Sequence, residues 1–264
     1  MAIRKPLFVV PLNLGTFDSG NARPGNPVFS LNRFKALGVT WRSTGNANLW
    51  ARGIFTAAQA IDFAAMISAN AQSGTTIRLR LGTSQAEVDG TASYDSGALT
   101  YISPAITRED GLYHWQFELP SVQTFAWWRI DIGGHTGDFE ASMLVLGKKF
   151  EPSHFYNFDF ERGVEDLGEV AFTRFGVMDE TPGTVMRSLN FTLAWQSEAE
   201  FEGSFRPMIE KLGKRGIVYV CFDAEATTYR QSKTYMGVMR KPPFARGIRK
   251  PKTFTQDYEI LSMI

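Results

Sequence analysis

Residues 127–152, WWRIDIGGHTGDFEASMLVLGKKFEP, constrain the fold more than any other stretch. Trp128, Ile130 and Ile132 alternate with Trp127, Arg129 and Asp131, the period of a half-buried strand. Gly133, Gly134 and Gly137 then supply positions free to take positive φ, so a loop follows. Residues 139–146 resume as a second strand ending at Gly147. Pro152 biases Glu151 toward extended backbone. This pattern predicts a closing hairpin followed by a domain exit. It divides the 264 residues into a β-domain over 1–150 and a second over 151–264.

Composition narrows what such domains do. The 28 basic and 27 acidic side chains nearly cancel, which argues against a general nucleic-acid or membrane-surface binder. Cys221 is the only cysteine, so there is no internal disulfide and no multi-thiolate metal site. The apolar run 7–14 is broken by Pro11 and Asn13 and is not read as a signal peptide. No stretch reaches the ~20 apolar residues of a membrane span.

In the first half, 7–10, 39–41, 49–55, 75–82 and 113–119 read as strands. Residues 75–82, TTIRLRLG, alternate strictly. Residues 61–67 suit helix or buried strand alike. In the second half, 154–160, 172–177, 187–195, 217–222, 233–239 and 252–261 read as strands. In 187–195, Leu189, Phe191, Leu193 and Trp195 share one face. Ser197 and Glu200 have the spacing of a capping box. Phe201, Phe205, Met208, Ile209 and Leu212 recur at helical spacing, predicting a helix over 198–212 with Phe201, Phe205 and Leu212 against the sheet. Pro207 leaves its continuity open.

Two resemblances follow. Trp41-Arg42-Ser43, Ile61-Asp62-Phe63, Asn70, Ile77-Arg78-Leu79-Arg80, Tyr94-Asp95-Ser96-Gly97, Trp128-Arg129-Ile130 and residues 144–147 occur in that order. Together they resemble the galactose-binding-like jelly roll found in tailed-phage tail modules. The order strand, helix, strand hairpin, terminal strand over 150–264 resembles the tail-tube-like β-barrel of phage distal tail proteins. The expected fold is mainly β: a jelly-roll β-sandwich, then an antiparallel β-barrel carrying one helix. The resemblance implies a structural ring component of a phage tail or baseplate that joins tail tube to tail tip, and not an enzyme.

That resemblance further implies a hexameric ring, with tube, tape-measure and hub proteins as partners and DNA passing only in transit. The virion tail, assembled in the bacterial host cytoplasm, would be its location. The alternative is a carbohydrate-binding adhesion module that recognises a glycan of the host envelope. Weak sugar-stacking candidates are Trp50, Tyr94 and Trp127, with Arg52 as polar partner. Each of these residue types also packs inside β-sandwiches.

Other constellations read as structural. Asp131, His135 and Asp138 supply too few ligands for a metal site and suit a tight hairpin. His114 and His154 lack a neighbouring nucleophile, and Cys221 lies in an apolar strand. Asp159, Glu161, Glu165, Asp166 and Glu169 spread over a glycine-containing loop without the paired geometry of a glycosidase. The basic run Arg240, Lys241, Arg246, Arg249, Lys250 and Lys252 reads as a charged loop or an intersubunit salt-bridge donor. No phosphate loop occurs. No catalytic residue, metal or cofactor is expected.

Overall fold

The computed structural model describes residues 3–36, 38–247 and 251–264. In chain order its elements begin with strands β1 (Leu7–Val9), β2 (Thr16–Ser19), β3 (Trp41–Arg42), β4 (Trp50–Ala69) and β5 (Thr76–Gly82). Helix α1 (Gln85–Asp89) precedes β6 (Tyr94–Asp95), β7 (Leu99–Thr100), β8 (Tyr113–Gly133), β9 (Glu140–Ala141), β10 (Met143–Gly147) and β11 (Lys149–Phe150). Then come β12 (Glu161–Asp166), β13 (Glu169–Phe172), β14 (Met178–Thr181) and β15 (Val185–Ser197). A helical run of α2 (Glu198–Glu200), a π turn (Phe201–Phe205) and α3 (Arg206–Leu212) follows. The chain closes with β16 (Ile217–Cys221), β17 (Thr234–Lys241), β18 (Arg246–Gly247) and β19 (Thr253–Ser262).

These elements form two units. One holds Val9–Lys149 and Glu225–Ser232; the other holds residues 3–8, Phe150–Ala224 and Lys233–Ile264. A contiguous division at residue 150 does not contain the two exchanged pieces, 3–8 and 225–232.

The first unit is built on β4 and β8, which pair antiparallel from Trp50↔Asp131 to Ala69↔Tyr113. Register shifts between Ile54 and Gln59 and between Ile61 and Phe63 interrupt that ladder. Such irregularities bend and twist long strands. Before the breaks β4 also pairs with β2, and β8 with β5; beyond them β4 pairs with β10. Both halves feed one core, which includes Ala51, Ile61, Met66, Trp115, Leu119 and Trp128. The unit is a jelly-roll β-sandwich whose long strands serve both layers.

One open alternative is decided here and one expectation changes. Residues 61–67 are strand: a fully buried strand with neighbours on both edges shows no alternation, so its apolar run imitates a helix. The closing hairpin is absent. After the glycine loop, β9 pairs with β3 and β10 with β4, and neither pairs with β8. Alternation assigns faces along a strand and leaves the choice of neighbour to the rest of the fold.

In the second unit one sheet runs β11-β1-β16-β17-β19-β15-β12, with β18 on β19. The strand β1 is apolar and buried throughout. Its Phe8 meets Phe191, Phe205 and Tyr258 at ring-centroid distances of 6.0, 5.7 and 5.3 Å. That aromatic cluster explains why the first strand belongs to this unit. The sheet is open, where a closed β-barrel was expected. It curls enough for the Arg162 Nε of β12 to donate to the Tyr235 hydroxyl of β17 at 2.8 Å, although two strands separate them in the ladder.

Leu189, Phe191 and Leu193 of β15 are buried as the alternation predicts, but Trp195 is 51% exposed. A register shift between Leu193 and Gln196 reverses the parity: Trp195 takes φ 62° and Gln196 turns inward. The Ser197 hydroxyl caps the helix by accepting from the Glu200 N–H at 3.2 Å. The Glu200 carboxylate turns instead to Ser153, accepting from its N–H at 2.8 Å and its hydroxyl at 2.5 Å. The run through Pro207 is unbroken because the π turn precedes it and the proline occupies an early position of α3. Phe205, Met208 and Leu212 are buried; Phe201 is half-buried against Phe254 at 4.9 Å.

Residues 154–160 form no strand, apart from a bridge between Tyr156 and Leu193. Residues 173–176 form the turn of a hairpin between β13 and β14, which among the described residues pair only with each other.

Candidate functional site

The outer face of the sandwich carries a lattice of charge. Asp18, Arg52, Arg129, Arg80 and Asp95 stand in register across β2, β4, β8, β5 and β6. Trp50, Asp131 and Arg78 form the next row. Three arginines side by side repel, and the acids between them compensate. Arg52 pairs with Asp18 and Asp89. Arg129 reaches Asp89 at 2.5 Å and Asp131 at 2.8 Å. Arg80 donates to Asp131 at 2.9 and 2.6 Å. Arg78 pairs with Asp95.

The carboxyl pKa values follow these contacts. The Arg78 hydrogen bond, against some desolvation, holds the Asp95 carboxyl below its ordinary value. Desolvation pushes Asp89 upward, yet hydrogen bonds from Arg52 and Arg129 outweigh it and the net shift is downward.

This lattice decides what the sequence candidates can do. Trp50 has the guanidinium of Arg52 at 4.8 Å and that of Arg129 at 4.6 Å from its ring centre. Its π-face is engaged by cations. Arg52 is buried and spent on two carboxylates. Trp127 lies on the same face, opposite Ile54 and Gly82. Tyr94, opposite Leu81, packs on the core, and its desolvation raises its pKa. Trp50 and Arg52 thus meet on the outer face that Trp127 shares, while Tyr94 packs on the core.

The loop end of the sandwich offers a different arrangement. Gln72 ties two loops together: its Nε2 donates to the Thr136 carbonyl at 2.9 Å and its Oε1 accepts from the Thr136 N–H at 3.3 Å. Gly134 (φ 64°) lies so close to the Gly74 carbonyl that a Cβ would approach it to 2.3 Å, so only glycine fits. Beside these loops lies a cleft of about 540 Å³ lined by Gln72, Ser73, Thr100, Ile102, Thr107 and Tyr113, among others. Among the described residues no charged side chain lines it. Hydroxyl and amide groups stand beside aliphatic groups and one aromatic ring. Reading by element missed it, because its wall comes from the irregular segment 101–112; the turn residues there were the available signal.

The other groups singled out in the sequence are placed as follows. His135 is buried, with Nδ1 3.2 Å from the Thr75 hydroxyl and Nε2 3.2 Å from the Asp138 carbonyl. A ring donating through Nε2 and accepting at Nδ1 satisfies both contacts, and burial lowers its pKa, favouring that neutral form. The Asp138 carboxylate accepts from the Gly45 N–H at 2.7 Å and faces Arg42 and Arg23, while Asp131 serves Arg80 and Arg129. Among the described residues no three His, Cys, Asp or Glu side chains group around a metal position. His114 is buried and accepts the Ser68 N–H at 3.0 Å, His154 is exposed, and Cys221 is buried. Asp159, Glu161, Asp166 and Glu169 are exposed, and Glu165 pairs with Arg240. Arg249 and Lys250 of the basic run lie outside the described residues.

No protein-family model matches the chain, and no curated protein matches it. Several solved structures are similar at low identity. A chitosan-binding module from a Paenibacillus chitosanase/glucanase is 13% identical, with TM-score 0.35 over 52% of this chain and 97% of its own. A fucolectin from striped bass serum is 8% identical, with TM-score 0.42 over 71% of each chain. XRCC1, in its complex with the DNA polymerase β catalytic domain, is 11% identical, with TM-score 0.37 over 53% of this chain and 98% of that one. The first is a chitosan-binding module, the second a lectin and the third neither, so these likenesses name no ligand for this chain.

Proposed function

We propose that the sandwich unit is a non-catalytic module that binds a neutral carbohydrate in the loop-end cleft. One observation carries this reading: the cleft is uncharged and combines a tyrosine wall with hydroxyl and amide side chains. A sugar ring presents an apolar C–H face and a belt of hydroxyls. Tyr113 and Ile102 suit the face, and Ser73, Thr100 and Thr107 suit the belt. The cleft volume lies within the ~300–1,000 Å³ typical of small-ligand sites. A glycan array on the full chain identifies ligands, and titration calorimetry then measures the best of them. Tyr113→Ala should weaken that binding about tenfold, the equivalent of ~1.4 kcal/mol. Undiminished binding in Tyr113→Ala, or a site at Trp127, overturns the assignment.

A second reading is a structural ring subunit of a phage tail. The observation favouring it is the apolar β13–β14 hairpin, which exposes surface of the kind used in assembly. Imaging of assembled particles tests it. Copies encircling the tail axis are expected, and particles lacking the chain would refute it.

A further inference from the structure

Residues 225–232 connect β16 to β17, yet they belong to the sandwich unit. Two of their side chains reach the chain around the loop-end cleft. Arg230 donates from Nη2 to the Ser103 carbonyl. Gln231 is buried, and its Oε1 accepts the His114 N–H at 3.0 Å. Both contacts fall next to the lining: Ser103 lies between Ile102 and Ala105, and His114 follows Tyr113.

The cleft needs such support. Its wall is irregular chain. Tyr101 is fastened through its N–H to the Thr75 carbonyl at 2.9 Å, and Arg108 pairs with Asp110 at 2.6 Å. Among the described residues, the one hydrogen bond that reaches 102–107 between those points comes from Arg230. Chain without a ladder of its own keeps its conformational freedom unless something holds it, and a charged donor holds a carbonyl well. The tyrosine has a similar need. At Tyr113 and Trp115 β8 pairs with β4, whereas β5 joins β8 only at Trp127–Gly133. Gln231 satisfies the His114 N–H in place of a backbone carbonyl.

We propose that Arg230 and Gln231 are positioning residues of the cleft, fixing its Ile102–Ala105 wall and its Tyr113 ring before a sugar arrives. The inference rests on the carbohydrate reading above and extends that site to a segment 127 residues along the chain from the wall it holds. Neither side chain needs to touch the sugar. A wall fixed in advance spares binding the cost of ordering it.

The test is titration calorimetry of the full chain with four neutral probes: lactose, fucosyllactose, maltotriose and chitotriose. Thermal unfolding of each variant runs beside it. Arg230→Met keeps the aliphatic stem and removes the donor, Arg230→Lys keeps a donor, and Gln231→Leu removes the acceptor. Tyr113→Ala is the control for the cleft itself. Arg230→Met and Gln231→Leu should each weaken sugar binding about tenfold, and Arg230→Lys should recover part of that loss. A purely structural contact would lower the unfolding temperature and leave the affinity of the folded protein alone. Should Gln231→Leu fail to fold, Arg230→Met at its half-buried position decides. Undiminished affinity in Arg230→Met, with Tyr113→Ala weakened, overturns this inference and leaves the carbohydrate reading standing. So does an Arg230→Lys variant that binds no better than Arg230→Met. A wild type that binds none of the four probes, or a Tyr113→Ala variant that binds as wild type does, overturns that reading and this inference with it.

Discussion

Two antiparallel ribbons of this molecule differ in everything except their hydrogen bonding. The β4–β8 ribbon buries Ala51, Trp128 and Ile130 on its inner face and locks Arg52, Arg129 and Asp131 into ion pairs on the outer one. The β13–β14 ribbon pairs Phe172 with Met178 and covers neither. Alternation sorts side chains onto faces in both. What separates them is whether another layer lies against the apolar face. A ribbon with such a layer is a structural beam, and one without it leaves its apolar face in water.

The largest effect that sharpens this contrast comes from a covered aromatic. Phe205 is buried against Phe8 and Tyr258. Phe205→Ala should cost about 3–5 kcal/mol in denaturant unfolding. A loss within the surface range would show that the helix presents another face.

A smaller loss is expected in the charge lattice. Asp131→Asn removes the negative charge shared by Arg80 and Arg129 and turns one of its two acceptor oxygens into an NH2 donor facing a guanidinium, while both guanidinium groups stay mostly buried. Roughly 2 kcal/mol should be lost, and a neutral result would mean that water or Asp89 replaces the lost partner.

Smaller again is the acid response. Asp95 and Asp89 are depressed in the folded state. Their stabilisation is complete above the unfolded carboxylate pKa near ~3.9 and fades as pH falls through the lower folded values. Arg78→Met, which frees Asp95, should give a shallower stability–pH slope below about pH 4 than wild type. An unchanged slope would remove Asp95 from the account.

Least of all should Phe172→Ala matter to the isolated chain. Its effect is expected within about 0.5 kcal/mol, as for other exposed positions. A larger loss would mean that the hairpin is packed on its own chain, and the contrast between the ribbons would break.

Local chemistry alone determined much of this fold. Ile77, Leu79 and Leu81 against Arg78 and Arg80, and Trp128, Ile130 and Ile132 against Trp127 and Arg129, are visible as faces because side chains alternate along a strand. The helix start at Ser197 is equally legible, since its hydroxyl serves an N–H three residues away. Partners distant in sequence were not legible. That β10 joins β4, that Phe8 enters the cluster of Phe205 and Tyr258, and that the last sheet stays open depend on packing between residues far apart in the sequence.

The candidate sites divide the same way. Trp50 looks like a stacking platform until Arg52 and Arg129 are found over its ring. The cleft beside Tyr113 is invisible beforehand because its wall is irregular chain held by contacts between loops. Sequence decides which face a side chain takes, because that is set by bonds to its immediate neighbours. Only tertiary structure decides what lies against that face, because burial and pairing are properties of two surfaces that meet.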